Sequence, residues 1–275
     1  MTKEILVIYH APCLDGFSSA WVAHTVFGEN AAYVAATYNQ AEELPDVLGR
    51  RVYIVDFSYP ADIMRDMASK AYSITVLDHH KTAQADLQPL LDDGTVDGVF
   101  DMERSGAGIT WDWFYPGEER PQFINYVEDR DLWKFTFLDS KAVNMAMFSY
   151  DYKFENWNMF ATEDGMERLR MEGVGILRKH MKDVHEVAEH AQTINIGGYD
   201  VPTVNANYMY GSDIANVLSV GHPFAAYYWV SKTGEFCFGL RSQVGSADVS
   251  AIAKLYGGGG HANASGFRVN NLGDL

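Results

Sequence analysis

The sequence has few cysteines and no long apolar run. Its two cysteines, Cys13 and Cys237, are too few for a disulfide framework and form no C-x-x-C metal motif. Its longest apolar stretches, such as residues 5–9 and 224–230, are much shorter than the roughly 20 residues that cross a bilayer. The first residues also lack the apolar core of a secretion signal. We therefore expect reduced thiols, no contact with a membrane and a cytoplasmic location.

Basic side chains are also scarce. The sequence has 21 Lys and Arg against 37 Asp and Glu, which gives a formal net charge of −16. Nonspecific affinity for long nucleic acid grows with the number of phosphates that Lys and Arg neutralise, so a protein that coats long duplexes is disfavoured. A small anionic nucleotide or short oligonucleotide in a locally basic pocket is compatible with this charge, as are carboxylates gathered around a metal. The sequence is also compatible with a homodimer.

The first 100 residues predict an α/β domain. With 47% apolar and 21% charged residues, the chain can fill a core. Short β-branched runs predict strands at 5–9, 32–36, 51–55 and 73–77, and helix-like segments lie at 16–27, 61–71 and 82–91. This alternation predicts a parallel sheet that is covered on both faces.

The rest of the chain predicts a helical segment and a second domain. The pattern is mostly helical from residue 106 to about 194, with a long charged stretch at 163–192. Beyond it we predict strands at 193–196, 200–205 and 264–269, helices at 212–218 and 248–255, a hairpin at 224–231 and 235–241, and a loop at 257–260. We therefore divide the chain into residues 1–192 and a smaller α+β domain at 193–275, with a cleft between them.

Three predicted strands end in residues that can bind a metal. His10 follows the first strand, Asp56 the third, and Asp78-His79-His80 the fourth. Because ligands bind beyond the carboxyl ends of the strands in an open parallel sheet, these groups should meet in one crevice. Helix capping explains any one aspartate alone better, but it does not explain a cluster. With Asp15 nearby, the donors suit Mn, Mg or Zn, and the several carboxylates favour Mn²⁺.

Five motifs, in order along nearly the whole chain, resemble the DHH phosphoesterase superfamily. They are His10-Ala-Pro-Cys-Leu-Asp15-Gly16, Asp56, Asp78-His79-His80, Glu128-Asp129-Arg130-Asp131-Leu132-Trp133 and Gly257-Gly-Gly-Gly260-His261-Ala-Asn263-Ala-Ser265-Gly266. The last motif is similar to the DHH-associated C-terminal domain of nanoRNases, cyclic-dinucleotide phosphodiesterases and RecJ-type exonucleases. The resemblance implies divalent metal ions; we expect two Mn²⁺ ions, with Mg²⁺ or another ion as the alternative.

The resemblance also implies a role for each matching residue. Metal ligation is expected of His10, Asp15, Asp56, His79 and one acid of the fourth motif, for which we prefer Asp129 and keep Asp131 as the alternative. Asp78 and His80 would act with His79 at the catalytic centre by orienting its imidazole. One departure is Cys13, which lies near the place of a second aspartate in the first motif. It predicts a weaker metal site, a site for a softer ion such as Zn²⁺, or a buried neutral thiol beside the site.

The glycine run predicts phosphate binding. Consecutive glycines let a backbone approach an anion, and their N–H groups can form a nest, although a flexible turn is the alternative. The predicted substrate-binding residues are Arg241, Ser242, Gly258, Gly259, Gly260, His261, Asn263 and Ser265. The helix that follows Ser105 is a second place where phosphate could bind, but ordinary capping explains it better.

These residues together predict a metal-dependent phosphodiesterase that cleaves short oligoribonucleotides or related small nucleotides with metal-activated water. Cyclic dinucleotides, nucleoside bisphosphates and polyphosphate are the alternative substrates. A nucleotide-binding sensor without catalytic activity is the alternative from another class of protein.

Overall fold

The computed structural model describes residues 3–37 and 44–275, and the chain divides into the units Met1–Leu177 and Arg178–Leu275. The first unit is built on a parallel sheet and the second on a mixed sheet, so the predicted α/β fold with a smaller α+β domain is confirmed. Within the described ranges, no helix is both long and apolar enough to cross a membrane. The division at residue 192 stays a prediction.

The sheet of the first unit is parallel throughout its described strands. They are β1 Ile5–His10, β2 Ala31–Ala36, β3 Arg51–Val55, β4 Ser73–Asp78 and β5 Asp97–Phe100, in the order β2-β1-β3-β4-β5. The strand order reverses between β1 and β3, because β2 lies on one side of β1 and β3 to β5 follow on the other side. An open α/β sheet leaves a crevice at the carboxyl ends of its strands at such a point. β5 was not predicted, because a four-residue strand that begins with Asp97 and Gly98 carries little β signal.

Helices cover both faces of this sheet. The covering helices are α1 Leu14–Phe27 and α4 Gly106–Phe114 on one face, and α2 Ala61–Lys70 and α3 Lys81–Asp92 on the other. Four further helices have residues that pack in one core with α1 and α4: α5 Gln122–Asp131, α6 Ser140–Phe148, α7 Phe154–Phe160 and α8 Glu163–Ala188. Side chains of a strand alternate between faces. Ile8 of β1 accordingly packs in one core with Met64 of α2, whereas Val7 packs in another with Ile109 of α4.

The second unit has a mixed sheet with the order β10-β11-β9-β8-β7-β6. Its elements are β6 Gln192–Ile196, β7 Tyr199–Asn205, α9 Tyr208–Leu218, β8 Ala225–Val230, β9 Phe236–Arg241, α10 Val249–Lys254, β10 Gly259–His261 and β11 Ala264–Val269. The loop predicted at 257–260 is partly wrong, because Gly259 and Gly260 belong to β10 and pair with β11. Gly260 has a φ of 138°, a conformation that few residues other than glycine adopt.

Candidate metal centre

Imidazole and carboxylate groups meet at the carboxyl ends of β1, β3 and β4. Asp56 lies between two imidazoles: its Oδ2 is 3.5 Å from His10 Nδ1, and its Oδ1 is 3.2 Å from His79 Nε2. Asp56 is 1% exposed. Its φ of 56° is a left-handed conformation, which is strained for a residue with a side chain. Such strained backbone is concentrated at functional sites, where the surrounding structure maintains it.

His79 faces two further acids from other parts of the chain. Its Nε2 lies 3.8 Å from Asp15 Oδ2 and 3.4 Å from Asp131 Oδ2. Three ligand atoms lie within 4.8 Å of one another: a ring nitrogen of His79 and one carboxylate oxygen each from Asp15 and Asp131. The same holds for a second group, made of His10, Cys13 and Asp56.

Asp78 holds the backbone that follows β4. Its Oδ1 accepts hydrogen bonds from the N–H groups of His79, at 2.8 Å, and His80, at 3.3 Å, and lies 2.7 Å from His80 Nδ1. Asp78 is fully buried. The carboxylate of Asp78 therefore fixes the backbone of the two residues that follow it, and the direction of the His79 side chain depends on this backbone.

The structure separates the two acids of the fourth motif. Asp129 is 4% exposed. Its Oδ1 accepts hydrogen bonds from the N–H of Thr136 at 2.7 Å and from the hydroxyl of Thr136 at 2.6 Å. Its Oδ2 accepts a hydrogen bond from the N–H of Phe137 at 3.3 Å. Asp131, the last residue of α5, is the acid that reaches His79. The preference for Asp129 as the metal ligand is therefore not supported. Its carboxylate is committed to the following loop, and the geometry favours the alternative, Asp131.

The N-terminus of α4 faces an acid of this cluster. The N–H groups of Gly106, at 2.6 Å, and Ala107, at 2.9 Å, donate to the two carboxylate oxygens of Asp15. The hydroxyl of Ser105 accepts a hydrogen bond from the Gly108 N–H at 3.1 Å. The partial positive charge of the helix end therefore stabilises the Asp15 carboxylate. Capping, rather than a phosphate, explains the Ser105-Gly106 sequence.

Two glycines allow the close approach of these elements. A Cβ on Gly16 would lie 2.2 Å from the carbonyl oxygen of His10, and a Cβ on Gly106 would lie 2.5 Å from the Cβ of Asp56. Sequence reasoning missed the part that Gly106 plays beside Asp56. The available signal was the glycine directly after the capping Ser105, which we considered only for capping and phosphate binding.

Burial and neighbouring charge shift the acidity of the cluster. Burial, with repulsion from Asp56 and Asp131, raises the pKa of Asp15 well above its ordinary value. Desolvation of its carboxyl group, with repulsion from Asp56, also raises the pKa of Asp131. Burial also opposes ionisation of Asp56, but the imidazoles of His10 and His79 outweigh it and hold the pKa of that carboxyl well below its usual range. Crowded carboxylates repel one another, so a cation between them is stabilised.

The donor set of the cluster fits a divalent metal ion. Carboxylate oxygens suit hard ions such as Mg²⁺ and Mn²⁺, and imidazole nitrogens extend the range to Zn²⁺ and iron. The residues brought together are His10, Cys13, Asp15, Asp56, His79 and Asp131. Burial and the charges of Asp56, Asp131 and Asp15 raise the pKa of the Cys13 thiol as long as no cation offsets them.

In the second unit, Arg241 and His261 lie in one row of the sheet. Arg241 pairs with Ala264 of β11, which in turn pairs with His261 of β10. Residues that are paired across strands point to the same face, so the two side chains share a face. Arg241 Nη2 donates to Ser212 Oγ at 2.7 Å, and its guanidinium lies 6.0 Å from the centre of the Tyr227 ring. These contacts hold one cationic side chain in a fixed position.

The other predicted substrate-binding residues shape the backbone around this row. Asn263 Nδ2 donates to Ser242 Oγ at 2.9 Å, and Ser265 Oγ donates to the carbonyl of His261 at 2.7 Å. A Cβ on Gly258 would lie 2.1 Å from the carbonyl oxygen of Gly266. Close packing alone therefore requires a glycine at position 258. Contact of the predicted substrate-binding residues with substrate stays a prediction.

Comparison with known sequences identifies distant relatives. No protein-family model matches the chain. It is 29% identical to the uncharacterized protein R106 of Acanthamoeba polyphaga mimivirus, over 97% of this chain and 68% of that protein. It is 26% identical to the oligoribonuclease NrnB of Bacillus subtilis, over 72% of this chain and 53% of that protein, so the match spans about half of NrnB.

Several solved structures share the fold. The DHH domain of PF0399, a member of the s1p family of ribosomal proteins, has a TM-score of 0.61 at 16% identity. The match covers 96% of this chain and 82% of that chain. Exonuclease RecJ bound to manganese has a TM-score of 0.51 at 13% identity, over 96% and 85%. The pGpG-specific phosphodiesterase PggH of Vibrio cholerae has a TM-score of 0.50 at 16% identity, over 97% and 93%. The chain therefore has the fold of DHH-domain proteins, and its five motifs and its similarity to an oligoribonuclease resemble those of the DHH phosphoesterase superfamily.

Proposed function

We propose that the protein is a metal-dependent phosphodiesterase that hydrolyses short oligoribonucleotides. The observation that carries this proposal is the buried cluster at the carboxyl ends of β1, β3 and β4, in which Asp56 lies between His10 and His79. The similarity to an oligoribonuclease supports short RNA as the substrate. The chain's net charge of −16 supports a small substrate over a long polyanion.

We propose two divalent ions, with Mn²⁺ preferred over Mg²⁺. Asp56 directs one carboxylate oxygen towards His10 and the other towards His79, an arrangement that suits a carboxylate shared by two ions. Asp15 and Asp131 complete the group around His79. When bound, the ions would activate a water molecule and neutralise charge on the oxygens of the phosphate. Imidazole ligands favour Mn²⁺ over Mg²⁺, which prefers oxygen.

Residues around these ligands act as positioning groups in this proposal. Asp78 fixes the backbone N–H of His79 and faces the ring of His80, so it sets the direction of the His79 imidazole. The N–H groups of Gly106 and Ala107 fix both oxygens of Asp15. Ligands held in this way need little rearrangement when an ion binds.

We propose that the second domain, residues 193–275, binds a phosphate of the substrate. Arg241 and His261 share a face of its sheet, and Arg241 is held by Ser212. A guanidinium and an imidazole are suitable donors to phosphate oxygens. The backbone N–H groups of the glycine run, Gly258 to Gly260, are the further donors in this proposal.

The dependence of activity on RNA length tests this function. A dinucleotide, a pentanucleotide, a decanucleotide and a longer RNA are compared at fixed salt by kcat/KM with Mn²⁺. We expect the highest value for the shortest RNAs, since a few phosphate contacts gain nothing from added chain. A steady rise of kcat/KM with length would contradict the proposal and indicate an extended nucleic-acid channel. The Asp97→Asn variant is the control and should show the same dependence on RNA length as the wild type. Asp97 is exposed and begins β5, whereas the candidate metal centre lies at the carboxyl ends of the strands.

A further inference from the structure

Cys13 lies among atoms that can bind one metal ion. Its Sγ, a ring nitrogen of His10 and a carboxylate oxygen of Asp56 all lie within 4.8 Å of one another. Two metal–ligand bonds of about 2.0 to 2.3 Å separate their ligand atoms by at most about 4.6 Å. The limit of 4.8 Å is slightly above this distance, so side chains whose atoms lie at this limit must move closer together to bind a single ion.

The thiol is not used for helix capping. Cys13 occupies the N-cap position of α1 with extended backbone angles, φ −143° and ψ 136°, and its side chain makes no capping hydrogen bond. Ser, Thr, Asp and Asn are preferred at this position because their oxygen accepts a hydrogen bond from the helix backbone. A cysteine here does not serve the helix in that way, whereas it does place sulfur beside His10 and Asp56.

Asp56 gives an independent indication that a ligand belongs here. Its Oδ2 is buried and accepts no hydrogen bond from the residues that the structure describes. A buried carboxylate oxygen without a donor is costly, and structures normally satisfy it with a partner, water or an ion. This oxygen lies 3.5 Å from His10 Nδ1, so it faces a residue of the same ligand group.

We propose that Cys13, His10 and Asp56 form a thiolate-containing metal site that selects a softer ion, such as Zn²⁺ or ferrous iron, in preference to Mn²⁺. On ligation a sulfur–metal bond forms and the thiol proton is released to solvent. Thiolates select softer ions, whereas carboxylates and imidazole accept Mn²⁺. The group of Asp15, His79 and Asp131 contains no sulfur and holds the harder ion, so the two sites bind different metals. This inference rests on the proposed function only for the ion that Asp15, His79 and Asp131 would hold.

Cobalt absorption tests the sulfur ligand directly. Co²⁺ is added to the metal-free protein, and thiolate ligation gives an intense sulfur-to-cobalt charge-transfer band in the near ultraviolet. The chain has only two cysteines, so Cys237→Ala is a matched control: Cys237 is buried in β9 of the second unit. We expect the band in the wild type and in Cys237→Ala, and its loss in a folded Cys13→Ser protein. A wild type without the band, or a Cys13→Ser protein that retains it, would overturn the inference.

A second variant measures selectivity. Cys13→Asp keeps a ligand but replaces sulfur with oxygen, so it should bind Co²⁺ without the charge-transfer band. Its affinity for Zn²⁺ relative to Mn²⁺ should fall by about tenfold or more, the scale on which changes around a metal alter affinity. An unchanged ratio would contradict a role for sulfur in the choice of ion.

The cobalt experiment and the RNA assay separate the two proposals. RNA hydrolysis by a protein without the cobalt band would overturn the thiolate site and leave the proposed function intact. The band without hydrolysis of any short RNA would overturn the proposed function and leave the thiolate site intact.

Discussion

Gly106 donates its backbone N–H to Asp15 Oδ2 at 2.6 Å, across 91 positions of the chain. At the same residue, a Cβ would lie 2.5 Å from the Cβ of Asp56. One backbone position therefore fixes one acid of the candidate metal centre and leaves room for another. The N-terminus of α4 is in this way part of the wall of the metal centre.

A methyl group at Gly106 should disturb the metal centre. We expect Gly106→Ala to lower the free energy of unfolding by about 1 to 3 kcal/mol, since overpacking of a buried site costs that much. Mn²⁺ affinity should fall as well, because Asp56 must move. Urea unfolding and Mn²⁺ titration measure the two effects. Gly175→Ala is the control: Gly175 lies in α8 with nothing within 4 Å of an added Cβ, and there a stability within about 1 kcal/mol of the wild type, or above it, is expected.

The two acids of the fourth motif should respond differently to substitution. Asp131→Asn should lower kcat/KM by about a hundredfold or more and leave stability nearly unchanged, since Asp131 faces His79 at the end of α5. Asp129→Ala should lower the free energy of unfolding by about 1 to 3 kcal/mol, because the donors of Thr136 and Phe137 lose their acceptor. Activity assays and urea unfolding of both variants check this. The reverse pattern would restore Asp129 as the ligand.

The fourth motif shows where the sequence is informative and where it is not. Strand alternation and polar strand ends predict which strands bring His10, Asp56 and His79 together, because the period of a strand and the edge at which it ends are local properties. The choice between Asp129 and Asp131 depends on how α5 is rotated and on which donors the following loop presents. Those are tertiary properties, so no pattern within one helical turn distinguishes the two acids.

The glycine run shows the same limit. Four consecutive glycines predict a loop, because glycine has low strand propensity. Pairing with β11 nevertheless places Gly259 and Gly260 in a strand, and the backbone of Gly260 needs a φ that glycine alone tolerates readily. The strand is determined by a partner that follows in the chain, which local composition does not reveal.

Removal of the Arg241 guanidinium should weaken substrate binding. We expect Arg241→Ala to raise KM for a dinucleotide by about tenfold to a hundredfold, equivalent to the roughly 1.5 to 3 kcal/mol of a hydrogen bond to a charged group. Arg241→Lys should be intermediate, since it keeps the charge but loses the planar donor set. Lys232→Ala is the control, because exposed Lys232 lies in the turn between β8 and β9, at the opposite end of this hairpin from Arg241. Equal KM values for wild type and Arg241→Ala would remove Arg241 from the binding site.

The stability of the first unit should depend on the ionisation of Asp112. Burial raises the pKa of Asp112, but hydrogen bonds from Arg120 and Arg104 outweigh burial and lower it. A carboxyl with a lowered pKa in the folded state stabilises the fold above its unfolded pKa of about 3.9, and that contribution is lost as the pH falls through the folded value. Asp112→Asn should therefore reduce stability at neutral pH and show a smaller further loss below about pH 4 than the wild type. Urea unfolding across this range measures the difference, and parallel curves would contradict it.

Manganese-dependent hydrolysis of an RNA dinucleotide by wild type and Asp56→Asn tests the central claim most directly. Wild-type protein stripped with a chelator should be inactive, recover with an excess of Mn²⁺ that fills both sites, and recover less with Mg²⁺, since imidazole ligands favour Mn²⁺ over Mg²⁺. Asp56→Asn, checked for folding by circular dichroism, should stay inactive at every Mn²⁺ concentration, because the carboxylate between His10 and His79 is lost. Full activity of the stripped wild type, or near-normal turnover by folded Asp56→Asn, would contradict the account.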